Sequence, residues 1–254
     1  MKRRTLLALA ASGPLIRAAA YSDGEAWSAK AIAFDGFAVF DPRPIAAQVE
    51  KLFPGRGIEF TATWRTRQFE YTWLRTLTES YTDFWTVTED ALVYTAKLLK
   101  LKLTEQQRQR LMRGFLELQP WPEGAAALKR LREAGIRLVL LSNFTEPMLN
   151  AAVSGSGLQG YFEPHLSTDR VRAYKPDPRA YRMALDALKL QRDEIVFAAF
   201  AGWDAAGAKA FGFPTFWVNR TQAPVEELGP APDGIGANLN DLVAFVLRGS
   251  AGDC

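Results

Sequence analysis

Four short segments of this chain carry polar or charged residues at places where an enzyme could do chemistry. They are Ala31–Asp35, Leu140–Asn143, Tyr174–Asp177 and Gly202–Gly207. Each follows a run typical of a buried strand or stands at the start of a predicted helix, and open α/β sheets bind ligands and anions at those ends. The segments therefore predict one site, assembled from distant parts of the sequence, that contains an Asp, a Ser, a Lys and an Asp.

The residue types in these segments suit nucleophilic or anion-binding chemistry. Asp35, at the end of the first apolar run, could act as a nucleophile, a general base or a metal ligand, or could simply form a turn. Lys175, in a proline-stiffened segment, could keep such a carboxylate ionised, whereas a surface lysine is the ordinary alternative. Asp204, like Ser142 and Asn143, stands at a helix start, where it could serve the site or only cap the helix.

The elements that must position these residues alternate between strand and helix. Strands are predicted at 30–35, 137–141, 161–166, 194–200 and 214–218, and helices at 125–134, 146–154, 177–188, 203–211 and 239–247. Such alternation implies right-handed βαβ units and a mainly parallel sheet with helices on both faces. We expect an α/β protein whose Rossmann-like three-layer core is formed by residues 28–42 and 118–254.

A block of helices interrupts this alternation of strands and helices directly after the first strand. Within it the sequence predicts three helices, at 58–78, 89–101 and 104–117. Thr88 and Thr104 are the expected N-caps of the last two helices. Because the block follows the first strand, residues 43–117 should form an all-helical lid domain over the strand ends.

The first 20 residues differ in composition from the rest of the 254-residue chain. Lys2-Arg3-Arg4 precedes the apolar stretch Thr5–Ile16 and the small-residue run Ala18–Ala20, which is the layout of a secretory signal, and the arginine pair favours the twin-arginine route. Residues 1–20 are therefore predicted to be a signal peptide, with export to the periplasm and no membrane association after its removal. If this segment is instead an ordinary basic tail, the protein would be cytoplasmic.

Net charge and histidine content exclude several function classes. The formal net charge is +3, but four of the 31 basic side chains and none of the 28 acidic ones lie in residues 1–20, so the remainder is close to neutral. A protein without a basic excess lacks the electrostatic footprint of nucleic-acid binding. The single histidine, His165, would have to carry any Ser-His-Asp triad or histidine-based zinc site, so carboxylates, Lys and Arg are better candidates for chemistry.

In their order and spacing the four segments resemble the haloacid dehalogenase superfamily, and the helical insertion resembles that of its members with a lid. A narrower similarity, to the type II (S)-2-haloacid dehalogenases, rests on Trp64-Arg65-x-x-Gln68-Phe69-Glu70-Tyr71-x-Trp73-Leu74-Arg75, Tyr174-Lys175-Pro-Asp177 and Trp203-Asp204-Ala-x-Gly207-Ala. The likeness extends from about residue 30 to about residue 247. It implies hydrolytic dehalogenation of small (S)-2-haloacids to (R)-2-hydroxyacids through an aspartyl ester, with water as second substrate and no metal or other cofactor.

The resemblance also implies roles for individual residues. Asp35 would attack C2 of the haloacid and Arg65 would receive the halide, while Lys175 and Asp204 would support the nucleophile and the hydrolytic water. The other residues implied to bind substrate are Gly36, Phe37, Phe69, Phe84, Ser142, Asn143, Tyr181 and Trp203.

Helical spacing independently supports the halide role of the lid. Arg65, Phe69 and Trp73 recur every fourth residue, so they share one face of the predicted helix. A guanidinium flanked by aromatic side chains is a weakly hydrated cation in a dry pocket, which suits a leaving halide, although a surface salt bridge is the common use of an arginine.

Several positions depart from the family pattern. Val39 stands where the family has Thr, and Ala199 and Ala201 stand where it has Ser and Asn, groups that would tether the lysine and orient the hydrolytic water. Phe37 occupies the position at which the superfamily's phosphatases have a second Asp, and no second acid lies beside Asp204. A Mg²⁺ ion would therefore find too few oxygen ligands.

These departures leave three interpretations open. The first is a metal-independent hydrolase that acts on carbon–halide bonds. The second, favoured by Ala199 and Ala201, is a relative without turnover that binds small organic acids or is alkylated once on Asp35. The third is a Mg²⁺-dependent phosphatase, which Phe37 disfavours. The family is often dimeric, so a homodimer is a further option that the composition does not decide.

Overall fold

The computed structural model describes residues 28–249, so the predicted signal peptide lies outside the described residues. The strands are β1 (Ala31–Phe34), β2 (Phe40–Asp41), β3 (Gln119–Pro120), β4 (Arg137–Ser142), β5 (Leu166–Ser167), β6 (Ile195–Ala199), β7 (Thr215–Val218) and β8 (Gly234–Gly236). The helices are α1 (Gly36–Val39), α2 (Arg43–Leu52), α3 (Gly57–Leu77), α4 (Phe84–Leu98), α5 (Glu105–Arg113), α6 (Gly124–Glu133), α7 (Glu146–Gly155), α8 (Pro178–Leu188), α9 (Gly202–Phe211) and α10 (Leu239–Gly249). Within residues 28–249, no helix has the length and apolarity that a membrane span needs.

Six strands form one parallel sheet in the order β5-β4-β1-β6-β7-β8. The central strand β1 pairs with β4 on one side and β6 on the other, which places Ala33 opposite both Val139 and Phe197. All four residues of β1 are buried, as expected for a parallel strand covered on both faces. Since the carboxyl ends of these three strands lie side by side, the polar residues that follow them meet at one edge of the sheet.

Helices cover both faces of this sheet. Because successive side chains of a strand point to opposite faces, Ile32 and Phe34 pack into one core and Ala31 and Ala33 into the other. The first core includes side chains of α6, α7 and α10, and the second includes side chains of α8 and α9. The predicted Rossmann-like three-layer architecture with a mainly parallel sheet is confirmed.

The helices α2–α5 lie in the chain between β2 and β3, two short strands that pair antiparallel and bring the ends of this segment together. The helical segment has its own packing, with the ring of Trp64 at 6.3 Å from Phe60 and 5.7 Å from Phe115. We call α2–α5 the lid. Its helices fall within the predicted range 43–117, and the domain boundaries themselves stay a prediction.

Some local predictions are wrong. Thr88 is not an N-cap, because α4 already begins at Phe84 with Asp83 as its cap. Thr88 is buried inside that helix, where its hydroxyl accepts a hydrogen bond from Gln68 Nε2 at 2.6 Å and so ties α4 to α3. Of the strand predicted at 161–166, only the last residue is extended, and the glycine-containing β8 has no apolar run that would have predicted it. Thr104, in contrast, does cap α5 and forms a capping box.

Candidate active site

Asp35 stands at the carboxyl end of the central strand. Its backbone N–H still donates to Ala198 O at 3.0 Å, so the sheet fixes its position. The following residues turn at once into α1, and Asp35 caps that helix, with Oδ2 accepting from Phe37 N at 3.0 Å. The side chain keeps 15% of its surface exposed. The carboxylate is therefore oriented by the backbone and remains accessible.

Lys175 is the cation that faces this carboxylate. Its side chain is fully buried, and Nζ donates to Asp35 Oδ1 at 2.8 Å and to Asp204 Oδ2 at 2.6 Å. The ammonium also lies 5.1 Å from the centre of the Phe197 ring. Burial by itself would lower the pKa of Lys175, but the negative charges of Asp204 and Asp35 outweigh it and raise that pKa above its ordinary value. Lys175 is thus a buried cation that hydrogen-bonds both carboxylates of the site.

Asp204 lies in the first turn of α9 and does not cap it, since the N-cap is Ala201. Its two oxygens accept from Lys175 Nζ and, at 2.7 Å, from the hydroxyl of Tyr181. Burial raises the pKa of Asp204 to about 6, against the lowering effect of the Lys175 charge. A carboxyl group with this pKa can accept a proton from water near neutral pH.

Tyr181 was among the residues expected to bind substrate, and this expectation is wrong. The side chain is fully buried on α8, and its ring packs edge-on against Phe197 at 5.4 Å. Because its hydroxyl is used by Asp204, Tyr181 supports that carboxylate from behind instead of facing a ligand.

Two glycines allow the elements of the site to approach each other. A Cβ on Gly207 of α9 would stand 2.6 Å from Pro176 Cβ and 2.7 Å from the Tyr181 hydroxyl oxygen, so any side chain there would push α9 away from the lysine segment. A Cβ on Gly36 would stand 2.9 Å from Ser142 Oγ. Gly36 therefore lets the turn after β1 lie against the end of β4, as one site requires.

Ser142 and Asn143 lie at the end of β4, as predicted. Ser142 Oγ accepts from Phe144 N at 3.2 Å and so shapes the turn into α7. Asn143 Oδ1 accepts from the backbone N–H of Lys175 at 3.1 Å, which leaves the amide Nδ2 for a ligand. Helix capping is done by a different residue, Thr145, whose side chain accepts from Met148 N. The structure brings both predicted residues to the site and gives Asn143 the additional role of holding the lysine segment.

Arg65 of α3 brings a second cation into the site. Its guanidinium carbon lies 5.5 Å, 5.6 Å and 5.9 Å from the ring centres of Phe37, Phe200 and Phe69. Within residues 28–249 no ion pair or hydrogen bond of Arg65 is found, and the one charge that acts on its pKa is that of Asp35. Burial lowers the pKa of Arg65, although the charge of Asp35 opposes this effect. An enclosed guanidinium without a counterion, next to a carboxylate, is a site for an additional anion.

The aromatic wall differs in part from the expected one. Phe69 of the lid lies 5.1 Å from Trp203 of the core, so these two predicted wall residues are neighbours. Phe84, however, is 1% exposed and packs behind Phe144, so it does not line the pocket. Phe200 was missed although it follows β6 directly, between the two alanines that replace polar family residues. Its position after a strand end was the signal that could have found it.

The three residues that replace polar residues of the family offer no polar side chain to the site. Val39 and Ala199 are completely buried. Ala201 has the extended backbone of an N-cap, with φ −99° and ψ 145°, but no side chain that could accept from the first turn of α9. Across the described residues, no group of three or more His, Cys, Asp and Glu side chains is arranged to hold a metal ion. The acid–base groups that meet at this site are Asp35, Lys175 and Asp204.

The fold and the site together define an α/β protein with a carboxylate-centred site at the strand ends, covered by a helical lid. The family model of haloacid dehalogenase-like hydrolases matches residues 15–212. The chain is 44% identical over 215 residues to an (S)-2-haloacid dehalogenase of Pseudomonas sp. strain YL, with 84% of this chain and 93% of that protein covered. It is 40% identical to haloacetate dehalogenase H-2 of Moraxella sp. strain B, with 80% and 92% covered.

A solved structure adds to this similarity. The L-2-haloacid dehalogenase of Xanthobacter autotrophicus, in a crystal structure with chloropropionic acid covalently bound, matches with a TM-score of 0.80 and 34% identity, covering 88% of this chain and all of that one. The chain therefore belongs to the haloacid dehalogenase-like hydrolases.

Proposed function

We propose that this chain hydrolyses small (S)-2-haloacids to (R)-2-hydroxyacids with Asp35 as its nucleophile. The observation that carries the proposal is the unpaired guanidinium of Arg65, enclosed by three aromatic rings and near enough to Asp35 for their charges to interact. Displacement of a halide moves negative charge from nucleophile to leaving group, so it needs a carboxylate opposite a dry, cationic cage. The names of the relatives, all dehalogenases of 2-haloacids or haloacetate, support the same chemistry.

In the first step a carboxylate oxygen of Asp35 attacks C2 of the substrate. The C2–O bond forms as the carbon–halogen bond breaks, the bonding pair leaves with the halide towards Arg65, and the configuration at C2 inverts. Lys175 holds the nucleophile in position through its 2.8 Å hydrogen bond to Oδ1. The substrate carboxylate would be held by Ser142, by Asn143 Nδ2 and by the backbone N–H of Gly36, while the rings of Phe37, Phe69 and Trp203 exclude water.

In the second step water hydrolyses the ester on Asp35. Water adds to the carboxyl carbon of Asp35, and Asp204, whose pKa is raised to about 6, takes a proton from it. The bond between that carbon and the product oxygen then breaks, and the product oxygen is protonated from Asp204. Asp35 returns as a carboxylate with release of one proton. Since the C2–O bond survives, the inversion of the first step is retained in the (R)-2-hydroxyacid.

A second candidate is a protein that is alkylated once and does not turn over. It is favoured by the apolar environment where the family has polar groups, because Ala201 offers no hydrogen bond to a water and Lys175 faces the Phe197 ring. Losing one polar positioning group commonly slows a reaction about 10²-fold. A Mg²⁺-dependent phosphatase has no comparable support, since Phe37 occupies the position of the second Asp.

The decisive experiment measures halide release from each enantiomer of 2-chloropropionate. The chain would be purified without residues 1–20 and without added metal, next to Asp35→Asn. Many halide equivalents from the (S) enantiomer, and none from Asp35→Asn, is the expected result. A single equivalent with Asp35 left esterified, as seen by mass spectrometry, would indicate the trap. No halide from either enantiomer would refute both candidates.

We also propose that the protein is exported to the periplasm by the twin-arginine route. The support is the sequence of residues 1–20, in which Arg3 and Arg4 precede an apolar stretch. Cell fractionation of the full chain and of the Arg3→Lys, Arg4→Lys double variant checks this. Periplasmic protein that is lost in the variant is expected, and wild-type protein found only in the cytoplasm would contradict the proposal.

A further inference from the structure

Arg65 borders a cavity inside the lid as well as the candidate active site. This inner cavity has a volume of about 120 Å³ and lies between α2, α3 and the core, with Phe37, Ile45, Trp64 and Phe115 among its apolar walls. Asp35 and Asp204 do not line it. Phe37 and Arg65 thus belong both to the cage and to the walls of this cavity, while neither carboxylate lines it.

A second, open cleft continues this cavity towards the surface. It has a volume of about 600 Å³, lies between α2 and the start of α3, and is bordered at its mouth by Ile58, which is 90% exposed. The inner cavity and the outer cleft share Ala46, Thr61 and Arg65 as wall residues. Arg65 is thus connected to the solvent through the lid, with Ala46 and Thr61 at the neck.

The charges that line the inner cavity favour an anion. The inner cavity is lined by two arginines, Arg43 and Arg65, and no carboxylate is among its lining residues. Arg43 is neutralised by Asp41, at 2.6 Å, so Arg65 is the cation without an ion-pair partner there. Glu50 is the acid that lines the outer cleft, and its carboxylate is occupied by the N–H groups of Gly55 and Gly57 at 2.7 and 2.8 Å.

The route from Arg65 past the nucleophile Asp35 is unfavourable for a halide. While the ester exists, the 2-carboxyalkyl group bound to Asp35 would occupy the space between Asp35 and Arg65. After hydrolysis the carboxylate of Asp35 faces that space, and like charges at short range repel each other. A halide bound to Arg65 is therefore hindered from leaving past Asp35, both while the ester exists and after it has been hydrolysed.

From these observations we propose that the halide leaves through the lid, from Arg65 along the inner cavity, past Ala46 and Thr61, and out between α2 and α3. This passage deepens the proposed function and rests on it. It makes Ala46 a gate residue, since Ala46 lines both the inner cavity and the outer cleft and a larger side chain there narrows the neck between them.

Iodide binding tests the passage without requiring catalysis. Trp64 borders the inner cavity, so iodide that reaches Arg65 should quench tryptophan fluorescence, and stopped-flow mixing gives the association and dissociation rate constants. Ala46→Leu narrows the neck, while Ala47→Leu makes the same change on the next residue, which is exposed and lines neither cavity. We expect Ala46→Leu to slow association and dissociation alike by about tenfold, the effect of about 1.4 kcal/mol of added barrier, with Kd unchanged.

Equal rates in Ala46→Leu, Ala47→Leu and the wild type would overturn the passage, and so would a changed Kd with unchanged association. If Ala46→Leu fails to fold, Ala62→Phe in the outer cleft takes its place, with Thr66→Phe on the same helix as control. Halide release from (S)-2-chloropropionate by the wild type separates the two proposals. If the wild type turns over and the iodide rates are unaltered in the variants, the passage alone is refuted. If the wild type shows no turnover and binds no iodide, the proposed function is refuted.

Discussion

Replacing Ala201 by Asn is the most informative single change in this protein. Ala201 is the N-cap of α9 and already has the extended backbone that an N-cap needs, but its methyl group accepts no hydrogen bond. Asn is among the best N-cap residues. The substitution also restores an amide beside the carboxylates, where the resemblance places the group that orients the hydrolytic water.

Two effects of different size should follow. A capping side chain contributes about 1 kcal/mol to the free energy of unfolding, which for a chain of this size raises Tm by about 2–4 °C. A correctly placed polar group at a reacting centre is worth about 10²-fold in rate. Since alkylation depends on Asp35 and Arg65, we expect Ala201→Asn to accelerate hydrolysis of the ester by up to about 10²-fold and to leave alkylation unchanged.

The assay must separate the two chemical steps. Rapid quenching followed by mass spectrometry gives the fraction of Asp35 that is esterified, and halide release gives the rate of alkylation. Ala201→Ser serves as the matched control, because it caps the helix but its shorter side chain does not supply the amide. Equal stabilisation of both variants, with a lower steady-state ester fraction only in Ala201→Asn, is the expected pattern. Unchanged ester hydrolysis in the stabilised Ala201→Asn protein would refute the argument that this position orients the water.

Two further predictions concern the cationic cage and the base. Arg65→Lys should lower kcat/KM for halide release by about 10²–10³-fold, because a strongly hydrated ammonium does not fit between three aromatic rings. The circular dichroism spectrum should be unchanged. A drop of less than threefold would contradict the role of Arg65 in binding the halide. The rate of ester hydrolysis should decline as the pH falls through about 6, because Asp204 acts as a base only in its carboxylate form. Tyr181→Phe should move this decline to higher pH, because it removes a hydrogen bond that lowers the pKa of Asp204. An acid limb at the same pH in both proteins would show that Asp204 is not the base.

Much of the fold and the positions of the reactive residues could be predicted because they depend on short-range patterns. Apolar runs and proline or glycine boundaries give the strands and helices, and the parallel βαβ order then brings Asp35, Ser142 and Asp204 to one edge of the sheet. The errors lie where a distant partner decides. Thr88 has the residue type of an N-cap, but α4 begins earlier, at Phe84, and the hydroxyl of Thr88 instead accepts a hydrogen bond from Gln68 of α3.

The sequence by itself determined which chemistry is available: a carboxylate after the first strand, a lysine in a proline-stiffened segment and an arginine on an aromatic helix face. Tertiary structure alone decided how these groups act on each other. Burial of Asp204 beside Lys175 sets its pKa, Tyr181 turns away from the pocket to support it, and Phe200 completes the cage around an arginine that lies far from it in sequence. The physical reason is that strand and helix formation depends on neighbours in the chain, whereas desolvation, charge pairing and cavities arise only when separate elements pack together.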